Sequence, residues 1–183
     1  MKRAIPILTI LLVALFAATV ADAGERSLTL LLTGGNEANS VQIGLSPDGR
    51  SYAIESDAGL EVGGTICTHP EGNMNALLCE ASAIAGFEVN ANGGDDTVVV
   101  AREVGAPVTL RGGPGNDRLI GGGGGDKLIG GIGDDVLVGR GGDDWLYGGG
   151  GDDRLVGGSG NDVLRGGEGS NVLLGGSGVN DVE

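Results

Sequence analysis

The chain has 183 residues, of which 40 are glycine and 3% aromatic, with a formal net charge of −14. With its apolar residues scattered, such a chain would bury too little to offset its ordering entropy and would stay disordered. The acidic balance repels phosphate backbones and anionic membrane surfaces and attracts cations, which argues against a nucleic-acid partner.

The apolar residues are not scattered. Lys2 and Arg3 precede an apolar run over residues 4–20, and Ala21-Asp22-Ala23 follows. A basic start, an apolar stretch and an A-x-A site predict a secretory signal peptide over residues 1–23, with Gly24 as the first mature residue. An uncleaved membrane anchor is the alternative; after cleavage no membrane span is expected. Loss of Lys2, Arg3 and Asp22 would take the net charge from −14 to −15.

Residues 24–111 form an irregular β-rich region. Short runs with strand character at 28–32, 41–45, 52–54 and 108–110 are separated by turn signals such as Ser46-Pro47-Asp48-Gly49. We read the region as degenerate, longer rungs of the architecture that follows it, with a separate small β-sandwich as the alternative. Export makes Cys67 and Cys79 legible as a disulfide, worth about 3 kcal/mol for so short a loop. A zinc site of Cys67, His69 and Cys79 is the sharper reading, but no fourth ligand is evident. His69 is the only histidine, and no G-x-S-x-G elbow accompanies it, so a nucleophilic triad has no footing.

From Gly112 the chain is written in ninths: GGPGNDRLI, GGGGGDKLI, GGIGDDVLV, GRGGDDWLY, GGGGDDRLV, GGSGNDVLR, GGEGSNVLL and GGSGVNDVE. Glycine is fixed at positions 1 and 4, and Arg140 is the only departure at position 2. Position 6 is aspartate except at Asn171 and Asn180, and position 8 is leucine except at Val182. Each unit splits into a glycine turn and a three-residue strand. So short a strand must pair with copies of itself, which makes a solenoid. Position 8 then points inward, placing Leu119, Leu128, Leu137, Leu146, Leu155, Leu164, Leu173 and Val182 along one narrow interior. Stacked rungs lie about 4.8 Å apart, so the position-6 carboxylates stand in columns that need a counterion. A hard divalent cation, accepting carboxylate and turn carbonyl oxygens together, supplies it.

In these residues the tail resembles the repeats-in-toxin, or haemolysin-type, calcium-binding proteins. The resemblance implies an all-β, right-handed parallel β-roll over residues 112–183, with two nonapeptides per coil and Ca2+ between neighbouring turns. It stacks Asp117, Asp135 and Asp153 on one edge and Asp126, Asp144 and Asp162 on the other. Ions are expected between Asp117 and Asp135, Asp135 and Asp153, Asp126 and Asp144, and Asp144 and Asp162. Asn171 and Asn180 would bind more weakly. Outside the tandem units, residues 92–98 keep the turn and offer Asp96, while residues 34–41 fit more loosely, with Asn39 in the aspartate position.

The position-5 acids Asp134, Asp143 and Asp152 read as solubility in preference to extra ion binding. Eighteen-residue coils would align Ile120, Val138, Val156 and Leu174 in an outer stripe on one sheet, with Ile129, Trp145 and Tyr147 on the other. Such a stripe predicts self-association or docking to a surface or glycan, although β-branched residues also simply favour strands. The expected function is a secreted, extracellular or cell-surface calcium-binding protein that folds with its ion and serves a structural or adhesive role without enzymatic activity. The rival is a secreted enzyme acting on polysaccharide, stabilised by the repeats.

Overall fold

Glycine turns and apolar triplets repeat too closely for helices, and a computed structural model shows the strands they form. It describes residues 28–57, 67–70, 73 and 75–183. The signal peptide expected over residues 1–23 lies outside these described residues. Among them the chain is all β apart from short 3₁₀ turns, at Pro70 and at Ala81–Ala83, and no helix is long and apolar enough to cross a membrane.

The chain opens with β1 (Leu28–Thr33) and β2 (Ser40–Leu45). An excursion follows, made of β3 (Ser51–Ser56), β4 (Cys67–Thr68) and β5 (Ala76–Glu80). Coiling then resumes with β6 (Ile84–Asn90) and β7 (Thr97–Val100), and β8 (Val108–Pro114) and β9 (Arg118–Ile120). The regular coils are β10 (Lys127–Ile132) with β11 (Val136–Gly141), β12 (Trp145–Gly150) with β13 (Arg154–Ser159), and β14 (Val163–Glu168) with β15 (Val172–Ser177). The last strand is β16 (Asp181–Val182).

Each coil gives one strand to each of two sheets. One sheet has the order β1-β6-β8-β10-β12-β14-β16, and the other β15-β13-β11-β9-β7-β2-β3-β5-β4. Pairing is parallel throughout the coils, so the molecule is a β-solenoid. Residues 28–45 belong to the same two sheets as the nonapeptides, since β1 pairs with β6 and β2 with β7. The departure is the excursion, whose strands β3, β5 and β4 pair antiparallel and prolong one sheet only. Tyr52 of this meander meets Phe87 of the opposite sheet edge-on, at 4.9 Å between ring centroids, and closes the upper end of the core.

Below that cap the core is one residue wide. Val89, Leu110, Leu128, Leu146 and Leu164 share a register on one sheet, facing Val98, Leu119, Leu137 and Leu155 from the other. The leucines from Leu110 to Leu164 in these rows are all fully buried. At the lower end Leu173 is only partly covered and Val182 is 43% exposed. The interior read from position 8 is therefore present, open at its last rung.

The Cys67 and Cys79 sulfurs are 2.08 Å apart in a disulfide that ties β4 to β5. The zinc alternative falls with it. His69 donates from Nδ1 to the carbonyl of Ala76 at 2.9 Å, as a loop residue. Because each coil offers a single large side chain to each sheet, Leu146→Ala opens a void that no neighbour can fill. It should lower the unfolding free energy by about 2–5 kcal/mol in denaturant titrations at fixed ion concentration, whereas the same change at exposed Ile132 should stay within about 0.5 kcal/mol.

Candidate metal centre

Parallel stacking at an 18-residue step brings each position-6 aspartate under its counterpart one coil earlier. The carboxylate turns towards that neighbour, and its Oδ1 accepts the backbone N–H of the aspartate above. Asp117 donates to Asp135 at 2.7 Å and Asp135 to Asp153 at 2.9 Å. On the opposite edge Asp126 donates to Asp144 at 2.8 Å and Asp144 to Asp162 at 3.0 Å. Asn171 and Asn180 continue the two ladders through Asp153 and Asp162. The first column also extends upward. Asp96 donates to Asp117 at 2.8 Å across a longer, 21-residue step, and Asn39 donates to Asp96 at 2.6 Å.

The second carboxylate oxygen behaves differently. Oδ2 of Asp96, Asp117, Asp135, Asp144, Asp153 and Asp162 is buried without a hydrogen-bond partner. In the regular repeats it lies over the position-1 glycine of its own turn, beside the position-1 carbonyl of the next coil. A methyl on Gly112 would stand 2.0 Å from Asp117 Oδ2 and 2.8 Å from the Gly130 oxygen, and one on Gly139 2.1 Å from Asp144 Oδ2 and 2.8 Å from the Gly157 oxygen. Glycine is required at position 1 for this reason, independently of its φ. Two acceptor oxygens thus converge on one place, coil after coil. A buried acceptor left unpaired is costly, and converging acceptors of this hardness fit a divalent cation, calcium above all, which takes oxygen ligands in flexible geometry.

The electrostatics agree with the geometry. Burial pushes the Asp135 and Asp144 carboxyls up to about 7, and the neighbouring acids in each column push the same way. Burial likewise raises Asp96 and Asp126 to about 6 and lifts Asp117, Asp153 and Asp162 above the ordinary carboxylate range. The backbone N–H donors oppose this without cancelling it.

Three features went unread in the sequence. Position 5 builds a second, exposed ladder running the other way, in which the lower coil donates to the side chain above. Asn116 donates to Asp95, Asp134 to Asn116, Asp152 to Asp134 and Asn161 to Asp143, each at 2.8 Å. Asp134, Asp143 and Asp152 are therefore structural acceptors as well as solubilising charges. Asp and Asn recurring at position 5 was the available signal. Second, Asp126 stands apart, because its Oδ2 accepts the Gly122 N–H at 2.7 Å. Third, Ile120, Val138, Val156 and Leu174 do align, but Ile120 is buried at 7% exposure, so the outer stripe emerges only towards Leu174, at 45%. On the other sheet Trp145 and Tyr147 stack with centroids 6.3 Å apart, and Lys127 Nζ sits 4.5 Å over the Trp145 ring.

Residues 109–137, 129–164 and 147–182 match the family model of the RTX calcium-binding nonapeptide repeat (four copies), so the chain carries repeats of this family. The match begins below Asp96 and Asn39, whose place in the column comes from the fold. No curated protein and no solved structure matches the chain.

The raised carboxyls set a pH dependence. In the ion-free fold Asp135 and Asp144 still hold protons that the unfolded chain has released, so stability falls as pH rises from the ordinary carboxylate value of 3.8 through about 7. In chelator the melting temperature should therefore be higher near pH 5 than near pH 8. Saturating calcium, which needs the deprotonated carboxylates, should reverse the order; parallel slopes with and without calcium would contradict the assignment.

Proposed function

We propose that the protein is an exported calcium-binding β-solenoid that folds with its ion and serves a structural or adhesive role at the cell surface or in the surrounding matrix. The observation that carries this reading is the set of six buried, unpartnered Oδ2 atoms arranged in two columns. Asp96, Asp117, Asp135 and Asp153 would hold calcium on one edge, and Asp144 and Asp162 on the other. The bound ion supplies the positive charge that lets stacked carboxylates stay ionised in a buried place. The chain contributes the rest: Oδ1 is fixed by the backbone of the coil above, which leaves Oδ2 aimed at the ion.

Coupling to folding follows from the same arrangement. The ligands of one site come from residues 18 apart in the repeats and 21 apart at Asp96 and Asp117, and the open chain does not hold them together. Calcium thus stabilises the closed solenoid by mass action. A compartment poor in free calcium leaves the repeats open, and one rich in it closes them. Export is supported by the apolar stretch over residues 4–20 and by the Cys67–Cys79 disulfide. A non-catalytic role is supported by the use of the periodic acids, which are engaged in ladder bonds instead of being paired across a cleft. Adhesion or self-association would use the apolar places left outside, Leu174 at the lower end and the Trp145–Tyr147 pair.

Circular dichroism of residues 24–183 during calcium and magnesium titrations tests the central claim. Strand signal should grow with calcium, and magnesium should be a poor substitute because it demands a stiffer octahedral shell; full strand signal in chelator would refute calcium-coupled folding. Replacing Val138 and Val156 together by serine should reduce any calcium-dependent association seen in sedimentation, and unchanged sedimentation would remove that stripe as a contact.

A further inference from the structure

Position 2 is glycine in every nonapeptide except the fourth, where Arg140 stands. At the other regular turns a side chain there is blocked. A methyl on Gly131 would lie 2.1 Å from the Gly113 carbonyl oxygen, and one on Gly158 2.1 Å from that of Arg140. Arg140 itself has a φ of 81°, in the left-handed region that favours glycine. A large residue in this conformation at this place calls for a compensating contact.

The contact is with carbonyls. Arg140 Nη1 donates to the Gly121 oxygen at 3.2 Å and also to the Val100 oxygen. Val100, Gly121 and Gly139 each follow the aligned residues Val99, Ile120 and Val138, so their carbonyls belong to one row on the edge of the second column. The Arg140 side chain therefore runs up that row from its own turn, past the turn at residues 121–126, to the coil above it.

The turn it passes differs from the others and packs under the irregular segment 101–107, with Gly123 donating to the Val104 carbonyl at 2.8 Å. Gly122 and Gly124 are the only glycines at positions 2 and 4 of the repeats that lie outside the left-handed region. Gly122 turns its N–H onto Asp126 Oδ2, making Asp126 the one position-6 aspartate of the repeats whose Oδ2 has a donor. Its Oδ1 accepts the Val108 N–H at 3.0 Å, so the carboxylate is satisfied on both oxygens. Above it the regular turn is replaced by residues 101–107, which bury Val104 completely and carry the exposed Glu103, whose charge acts on Arg140, while Val108 takes the register place of a position-6 aspartate.

We propose that the Arg140 guanidinium is a resident cation that takes calcium's place at the upper end of the second column, so that calcium binding there begins at Asp144 and not at Asp126. Arginine keeps its charge at any ordinary pH and presents its donors in a fixed fork, which suits it to hold carbonyls that an ion would otherwise collect. The upper coils of this edge are then held together without metal.

This inference rests on the calcium reading above, and native mass spectrometry of the full chain with calcium as the only added metal separates the two. In the unaltered chain Asp126→Asn should cost no ion, whereas Asp144→Asn should lose at least one. Arg140→Gly should gain one calcium, and adding Asp126→Asn to it should remove that ion again. Loss of an ion on Asp126→Asn alone, or an unchanged count in a folded Arg140→Gly variant, overturns the resident-cation proposal and leaves calcium binding intact. If Arg140→Gly does not fold, the Asp126→Asn and Asp144→Asn counts still decide. Failure of the unaltered chain to bind calcium overturns the calcium reading, and this proposal with it.

Discussion

The structure depends on one divided carboxylate. At each position-6 aspartate Oδ1 accepts the backbone N–H of the coil above, and in the regular turns Oδ2 is left buried with nothing to receive. The first bond fixes the rung-to-rung register with a side chain where an ordinary sheet relies on its backbone alone. The second oxygen makes that register expensive until a cation arrives. Architecture and ion demand are thus two halves of one functional group. In the regular turns the bond that aligns the coils also aims the free oxygen, whereas Asn171 and Asn180 keep the bond without the charge and Asp126 keeps it with its second oxygen satisfied.

The remaining elements can be ranked by how they serve this arrangement. The leucine rows fill a core only one large side chain deep per strand, so they contribute cohesion but little surplus. The exposed position-5 ladder donates in the direction opposite to the buried one, so a coil between two neighbours is held to each of them through one of its own side chains and one of theirs. The broader apolar packing lies above the repeats, where Phe87, Tyr52, Ile43, Ile54 and Leu77 gather around the antiparallel excursion.

Much of this was legible in the sequence because identical units leave few choices. A period of nine with glycine, aspartate and leucine at fixed places dictates which residues share a rung, and the pairing of Leu137 with Leu119 and Leu155 follows from it. Asp96 and Asn39 could be read as weakened copies of the same turn, although the 21-residue step between Asp96 and Asp117 could not. What escaped is what acts between coils or outside the period. Arg140 was visible as a departure, but its contacts fall on the Gly121 and Val100 carbonyls of the coils above. The pairing of β3 and β5 has no repeat to announce it, and its alternation of burial is shared by strands of any topology. Ile120, between Val99 and Val138 in its sheet, looked like an outer residue by period and is buried by its surroundings.

The two ends of the solenoid are unlike. The upper end carries a disulfide-tied meander that prolongs one sheet and sets Tyr52 against Phe87 across the interior, while on the lower end Val172, Leu174 and Val182 stand roughly half exposed. In a solenoid of identical coils the number of coils is a free variable. Coils can be gained or lost within the repeats by duplication or deletion without disturbing the packing of Tyr52 on Phe87 above them, and each gained pair of nonapeptides would bring its own ligands. Reach and ion capacity in such a molecule scale together, so that a longer rod is also one that asks more of the calcium around it.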